Sequence, residues 1–136
     1  MDRFAVSDLQ EAVQDIRQME LPSTSLCRDD IEGRVQIRRD HFVDLRSLHG
    51  GRDGIIIAST SYRASKAAPG VVVYGSDGPV KVWVNGREAD CRPAATNPAL
   101  SGQYQAAVRW KRGANAIVFA WSSHRGRAEG LYCGVR

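Results

Sequence analysis

Residues Val80 to Gly86 read Val-Lys-Val-Trp-Val-Asn-Gly, a strict alternation closed by Asn-Gly. A period of two sends successive side chains to opposite faces of an extended strand, a sorting that no helix can achieve. Asn-Gly then supplies the two positive-φ positions that a tight type I′ hairpin turn demands. About thirty residues on, Lys111-Arg112-Gly113-Ala114-Asn115 leads into Ala116-Ile117-Val118-Phe119-Ala120-Trp121: a basic pair, a glycine turn and another apolar run of strand length. These two segments commit residues 34–136 to antiparallel β structure.

The neighbouring sequence has the same texture. Val35 and Ile37 alternate with polar residues, and Phe42, Val43 and Leu45 form a short apolar cluster before the turn Leu48-His49-Gly50-Gly51. Ile55 to Tyr62 is β-branched and apolar on both faces at its start, which predicts a central strand covered on both sides. Val71 to Tyr74 follows a Pro69-Gly70 break, and Gly75-Ser76-Asp77-Gly78-Pro79 is dense in turn formers. A return strand is expected near Arg87 to Asp90, followed by a two-proline loop over 91–102. Tyr104, Ala106, Val108 and Trp110 share one face of the next strand. Ile117, Phe119 and Trp121 then oppose Val118 and Ala120, and Leu131, Cys133 and Val135 close the chain as a final alternating strand. About eight short strands at this turn spacing predict an all-β antiparallel jelly-roll sandwich.

The N-terminal region reads differently. Ser7 and Gln10 make a capping box, and Leu9, Ala12, Val13, Ile16 and Met19 fall on one stripe, predicting a helix over Ser7 to Met19 that stops at Leu21-Pro22. The expected organisation is an amphipathic helix within 1–22, a linker over 23–33 and a sandwich over 34–136. Such a helix either docks on the sheet or pairs with a second copy of the chain.

At 136 residues the chain can bury a full core without staples. Cys27, Cys91 and Cys133 are odd in number and widely spaced, which fits neither a disulfide framework nor a zinc site; one bridge or three free thiols stay open. Apolar runs are too short to span a bilayer, and the N-terminus lacks the apolar core of a secretory signal. The net charge of +4 conceals an acidic first twenty residues and an arginine-rich remainder, but no run of five basic residues marks a nucleic-acid or polyanion site. His41, His49 and His124 stand apart, and no Gly-x-Ser-x-Gly, His-Glu-x-x-His or phosphate-binding loop occurs. Asp29-Asp30 has no apolar walls to raise a carboxyl pKa for acid catalysis. The chain reads as non-enzymatic.

Val43-Asp44-Leu45, Ser76-Asp77-Gly78, Val80 to Arg87, Val108 to Asn115 and Gly130-Leu131-Tyr132 stand in the order and spacing of a known pattern. They resemble the galactose-binding-like jelly-roll modules appended to bacterial glycoside hydrolases and polysaccharide lyases, over residues 40–136. The resemblance implies a carbohydrate-binding or accessory module, with a glycan or a catalytic domain as partner and an extracellular or periplasmic setting if the parent protein is secreted. The opening Trp and Gly-Pro-Phe segment of these modules is replaced here by the N-terminal helix and linker. The Ser-Asp turn is shared with PA14-type lectin domains, where a second aspartate helps hold calcium. Here Gly78 takes that place, and calcium needs six or more oxygens, so no metal or other cofactor is expected.

Trp83 lies opposite Val80, Val82 and Val84, beside Lys81 and Asn85. An aromatic ring among hydrogen-bonding groups can stack a sugar, with Trp83, Arg87, Asn85 and Tyr74 as the expected ligand-binding residues and the 91–102 loop beside them. The competing reading makes Trp83 core, under a sheet covered on both faces. The competing function is a structural or assembly domain that self-associates or packs on a partner without a glycan.

Overall fold

The computed structural model describes residues 4–11, 15–24, 27–29, 36–37 and 42–136. Two antiparallel sheets carry the chain. Strands β1 (Ala5–Val6), β2 (Arg28–Asp29), β5 (Ile55–Ala64), β7 (Val80–Val84), β8 (Arg87–Arg92) and β10 (Gly113–Ser122) form one, in the order β2-β1-β5-β10-β7-β8. Strands β3 (Gln36–Ile37), β4 (Phe42–Asp44), β6 (Ala68–Ser76), β9 (Tyr104–Trp110) and β11 (Gly130–Val135) form the other, in the order β3-β4-β11-β6-β9.

The alternation read from sequence sorts the side chains as expected. Val80, Val82, Val84, Ile117, Phe119 and Trp121 face inward and meet Val72, Tyr74, Ala106, Trp110 and Leu131 from the opposite sheet. Removing such surface from water is the main force holding two sheets face to face. Ile55, Ile57, Trp83, Val118 and Ala120 point the other way into a second apolar cluster. Strand β5 is therefore central and covered on both faces. Arg46 to His49 adds one helical turn after β4, ended by Gly50 in the left-handed region (φ 55°).

The N-terminal helix is a correction. Ala5–Val6 pairs with β5, Gln10 exchanges backbone hydrogen bonds with Ile55 (2.8 and 2.9 Å), and Ile16–Gln18 is a single 3-10 turn; residues 12–14 lie outside the described residues. Ser7, expected to cap a helix, accepts the Ile57 N–H on its hydroxyl (2.9 Å) while its own N–H donates to the Ile57 carbonyl (2.9 Å). The free edge of β5 offers these backbone groups a ladder, and satisfying buried peptide groups outweighs a helix propensity of a few tenths of a kcal/mol per residue. Of the linker expected over 23–33, residues 25–26 and 30–33 also lie outside the described residues, while Arg28–Asp29 pairs with β1.

The Pro69-Gly70 break is a second correction, because β6 runs straight through it. Strand β11 pairs with β6 from Val72 onward, with Arg136 bonded to Val71, so Pro69 has a strand neighbour only on the β9 side. Proline is tolerated at such a position. Gly70 is required by packing: a Cβ there would be driven into the Trp110 indole.

Candidate functional site

Three connections meet at one end of the sandwich: the β6–β7 turn, the β8–β9 loop and the β10–β11 loop. They enclose a cavity of about 260 Å³ lined by Asp77, Ala95, Thr96, Asn97, His124, Arg127 and Ala128.

Its walls are built by side chains bonding to backbone. The Ser76 hydroxyl donates to the Gly78 carbonyl (2.7 Å) and accepts from Gly78 N–H (3.2 Å) and Trp121 Nε1 (3.1 Å). One proton and two lone pairs are all a hydroxyl has, so this turn is fully specified. The Asp77 carboxylate accepts from the backbone N–H groups of Glu129 (2.7 Å) and Gly130 (3.2 Å), tying the first connection to the third. Thr96 ties in the second: its hydroxyl donates to the Ser76 carbonyl (3.0 Å) and its N–H to the Asp77 carbonyl (3.2 Å). His124 and Arg125 both hold positive φ (49° and 59°), an uncommon conformation for residues with a Cβ. Arg125 N–H donating to Asp53 (2.9 Å) and Ala128 N–H donating to the Ser123 carbonyl (2.9 Å) hold that bend.

The electrostatics are asymmetric. Burial raises the Asp77 carboxyl above its ordinary value, outweighing the N–H groups of Glu129, Gly130 and Asp77 itself, which favour the charged form. At the mouth, Asn97, His124 and Arg127 are exposed, and among the described residues no hydrogen bond or ion pair engages their side chains. A half-buried acceptor stands under a rim of donors without partners among the described residues, with alanines between, an arrangement able to hydrogen-bond a small polar ligand.

The residues expected from sequence are not brought together here. Tyr74 is fully buried between the sheets and its hydroxyl donates to Asp90 (2.7 Å); burial, then that carboxylate, pushes its pKa up. Trp83 belongs to the outer cluster and is 3% exposed, leaving no ring face open. Asn85 forms the β7–β8 turn (φ 50°), its amide donating to Asn115 (2.8 Å) and its carbonyl oxygen accepting from Ala116 N–H (2.9 Å). Arg87 is exposed beside it, at the end of the sandwich away from the cavity. The 91–102 loop does line the cavity, through Ala95 to Asn97. Asp77, His124 and Arg127 escaped sequence reading. Asp77 stood inside a recognisable turn motif, but His124 and Arg127 sit in a loop with no pattern of its own.

Trp83 is covered by the N-terminal segment, and a buried lysine holds that cover. Lys81 (4% exposed) donates to the carbonyls of Arg17 (2.9 Å) and Met19 (2.7 Å), pairs with Glu88 (2.8 Å), and stands 5.5 Å from the Trp83 ring centre. Ile16 and Met19 pack on the same cluster. Lys81→Met keeps the bulk but leaves two carbonyls without their donor, an expected loss of about 2 kcal/mol. Hydrogen exchange should show residues 15–20 losing protection while β10 keeps its own; unchanged protection of 15–20 would refute the lysine's role.

The three thiols are free. Cys27 Sγ lies at the Ile57 carbonyl on β5 (3.6 Å), whereas Cys91 is on β8, three strands away in the sheet order. Strand spacing of about 4.8 Å separates them far beyond disulfide reach. Cys133 belongs to the other sheet, and burial pushes its thiol up to about 12.

No family model and no curated protein matches this sequence. Among solved structures, the β-glucosidase of Kluyveromyces marxianus is similar with a TM-score of 0.57 at 11% identity, over 98% of this chain and only 16% of the enzyme. The PA14 domain of the MpAFP antifreeze protein gives 0.55 at 10% identity, over 98% of this chain and 80% of that domain. A family 35 carbohydrate-binding module from Clostridium thermocellum gives 0.51 at 12% identity, over 97% of this chain and 90% of the module. At such identities the likeness is one of fold alone, and the fold is a two-sheet β-sandwich.

Proposed function

We propose that the chain is a non-catalytic, carbohydrate-binding accessory module with jelly-roll topology, and that it holds a sugar residue in the Asp77 cavity. One observation carries the reading: three connections at one end of the sandwich build a polar cavity whose rim donors have no internal partner among the described residues. Asp77 accepts from sugar hydroxyls, while Arg127, Asn97 and His124 donate or bridge from the rim. This assignment replaces a stacking site on Trp83, whose ring is covered. Self-association through an N-terminal helix has no helix to act with among the described residues.

Affinity gel electrophoresis and calorimetry against a panel of soluble polysaccharides test the proposal. Arg127→Ala, which breaks no side-chain bond among the described residues, should weaken retention about tenfold with an unchanged melting point. Because the Asp77 carboxyl titrates above the usual value of about 4, retention should fall on acidification with a midpoint above that value, as the acceptor takes up a proton. Absence of retention by the parent on every glycan, or an Arg127→Ala variant that binds as well as the parent, would sink the assignment.

A further inference from the structure

The opposite end of the sandwich has a different chemistry. Register places three connections there. Ala64 lies across from Gly113 and Ala68 across from Trp110, so the β5–β6 and β9–β10 turns are neighbours. Asn85 bonds to Ala116, bringing in the β7–β8 turn. These turns and the strand ends beside them carry Arg63, Lys66, Arg87, Arg109, Lys111 and Arg112, all exposed. Among the described residues none of the six has an ion pair or a side-chain hydrogen bond. Other cations of the chain do find acids: Arg17 with Asp15, Arg46 with Asp44, Arg52 with Glu11, Arg92 with Asp90. The acid on the β7–β8 hairpin nearest the group, Glu88, is taken by Lys81.

We infer that this basic end is a docking surface for an acidic polysaccharide, one bearing carboxylate or sulfate groups along its chain. The inference rests on the glycan-binding reading above and adds a second contact to it. Six like charges at one end of the sandwich, with no counter-charge paired to them among the described residues, repel one another, and an external anion relieves that repulsion. With strands about 4.8 Å and sheets about 10 Å apart, the cationic end spans roughly 15 by 10 Å, room for more than one anionic group. The surface is also pre-organised. Asn115, fully buried, accepts from Lys111 N–H (3.0 Å) and Asn85 Nδ2 (2.8 Å), and its own amide donates to the carbonyls of Lys111, Gly113 and Tyr62. A nucleic acid is the poorer fit. Single strands bind by stacking bases on exposed aromatic rings. Here Trp110 is buried and Tyr62 is half-buried against it, ring centres 4.9 Å apart.

The test uses the full chain in affinity electrophoresis against polygalacturonate, heparin, a neutral mannan and a single-stranded oligonucleotide, at low and near-molar salt. The parent should be held by polygalacturonate, heparin or both at low salt and released at high salt; which of the two holds it separates carboxylate from sulfate. The variant Lys66→Glu/Lys111→Glu/Arg112→Glu should bind the acidic chains roughly ten- to a hundredfold more weakly, the effect of three surface charge contacts, with its melting point unchanged. The triple variant should leave any retention by the neutral mannan unchanged, since none of its three residues lines the Asp77 cavity. The inference is overturned if the parent ignores both acidic chains, if the triple variant binds like the parent, or if the oligonucleotide is held as tightly as the polysaccharides. Neutral-glycan retention without acidic retention removes this inference alone, whereas loss of both removes the glycan reading with it.

Discussion

Replacing Trp121 with alanine is expected to cost about 4 kcal/mol and to lower the melting point by on the order of 15 °C. The ring is fully buried in the inter-sheet core, so its removal leaves a cavity that neighbouring strands cannot close. The effect also reaches the candidate site. Trp121 Nε1 donates to Ser76 Oγ (3.1 Å), the hydroxyl that shapes the turn carrying Asp77. Its ring stacks on His49 (centres 5.9 Å apart, 26° between planes), whose Nδ1 accepts from Gly51 N–H (2.9 Å), leaving Nε2 to donate to the Ala128 carbonyl (2.8 Å). Trp121→Phe separates the two contributions. It keeps most of the apolar bulk and should cost about 1–2 kcal/mol, yet it removes the proton that Ser76 accepts. Equilibrium denaturation gives the stability and affinity electrophoresis the retention. If the phenylalanine variant retained glycan like the parent, Trp121 would be packing alone.

The difference between what sequence revealed and what it hid follows from distance along the chain. Val80 to Val84 and Ile117 to Trp121 announced their faces, because alternation is local and burial on both sides of a sheet enforces it. Trp83 was placed correctly opposite Val80, Val82 and Val84, but whether that face is wet depends on residues 16–19, more than sixty positions away. The Ser7–Met19 stripe misled for the same reason: Ile16 and Met19 are apolar because they seal the outer cluster, and the single 3-10 turn Ile16–Gln18 serves that end. At Pro69 a strong turn signal was overruled by the ladder with β9. The cavity was the least legible part. It is made by side chains bonding to backbone across separations of up to fifty-three residues, as between Asp77 and Gly130, and such pairs leave no periodic trace. Asn115 holds the turn before it through its side chain, while Gly113 takes that turn's positive φ of 93°.

Asn115 gives the other large expected effect. Its amide satisfies two donors and bonds three carbonyls, with no exposure at all. Asn115→Ala strands these groups in a site too enclosed for water to replace the side chain freely, and an expected cost of about 3 kcal/mol follows. Asn115→Asp is the sharper test, since it changes little but the proton inventory. The introduced carboxylate can still accept from Lys111 N–H and Asn85 Nδ2, but it faces three carbonyl oxygens with no proton to offer. Burial and those oxygens raise its folded-state pKa above the unfolded value near 4, so the folded form binds the proton more tightly. The sign follows: the aspartate variant should regain stability relative to the parent as pH falls through that raised pKa, and be at its worst at neutral pH. The alanine variant should show no such recovery relative to the parent. Denaturant midpoints of the three proteins between pH 4 and 8 measure this, and parallel curves for both variants would mean that the amide protons are not what holds the basic turns in place.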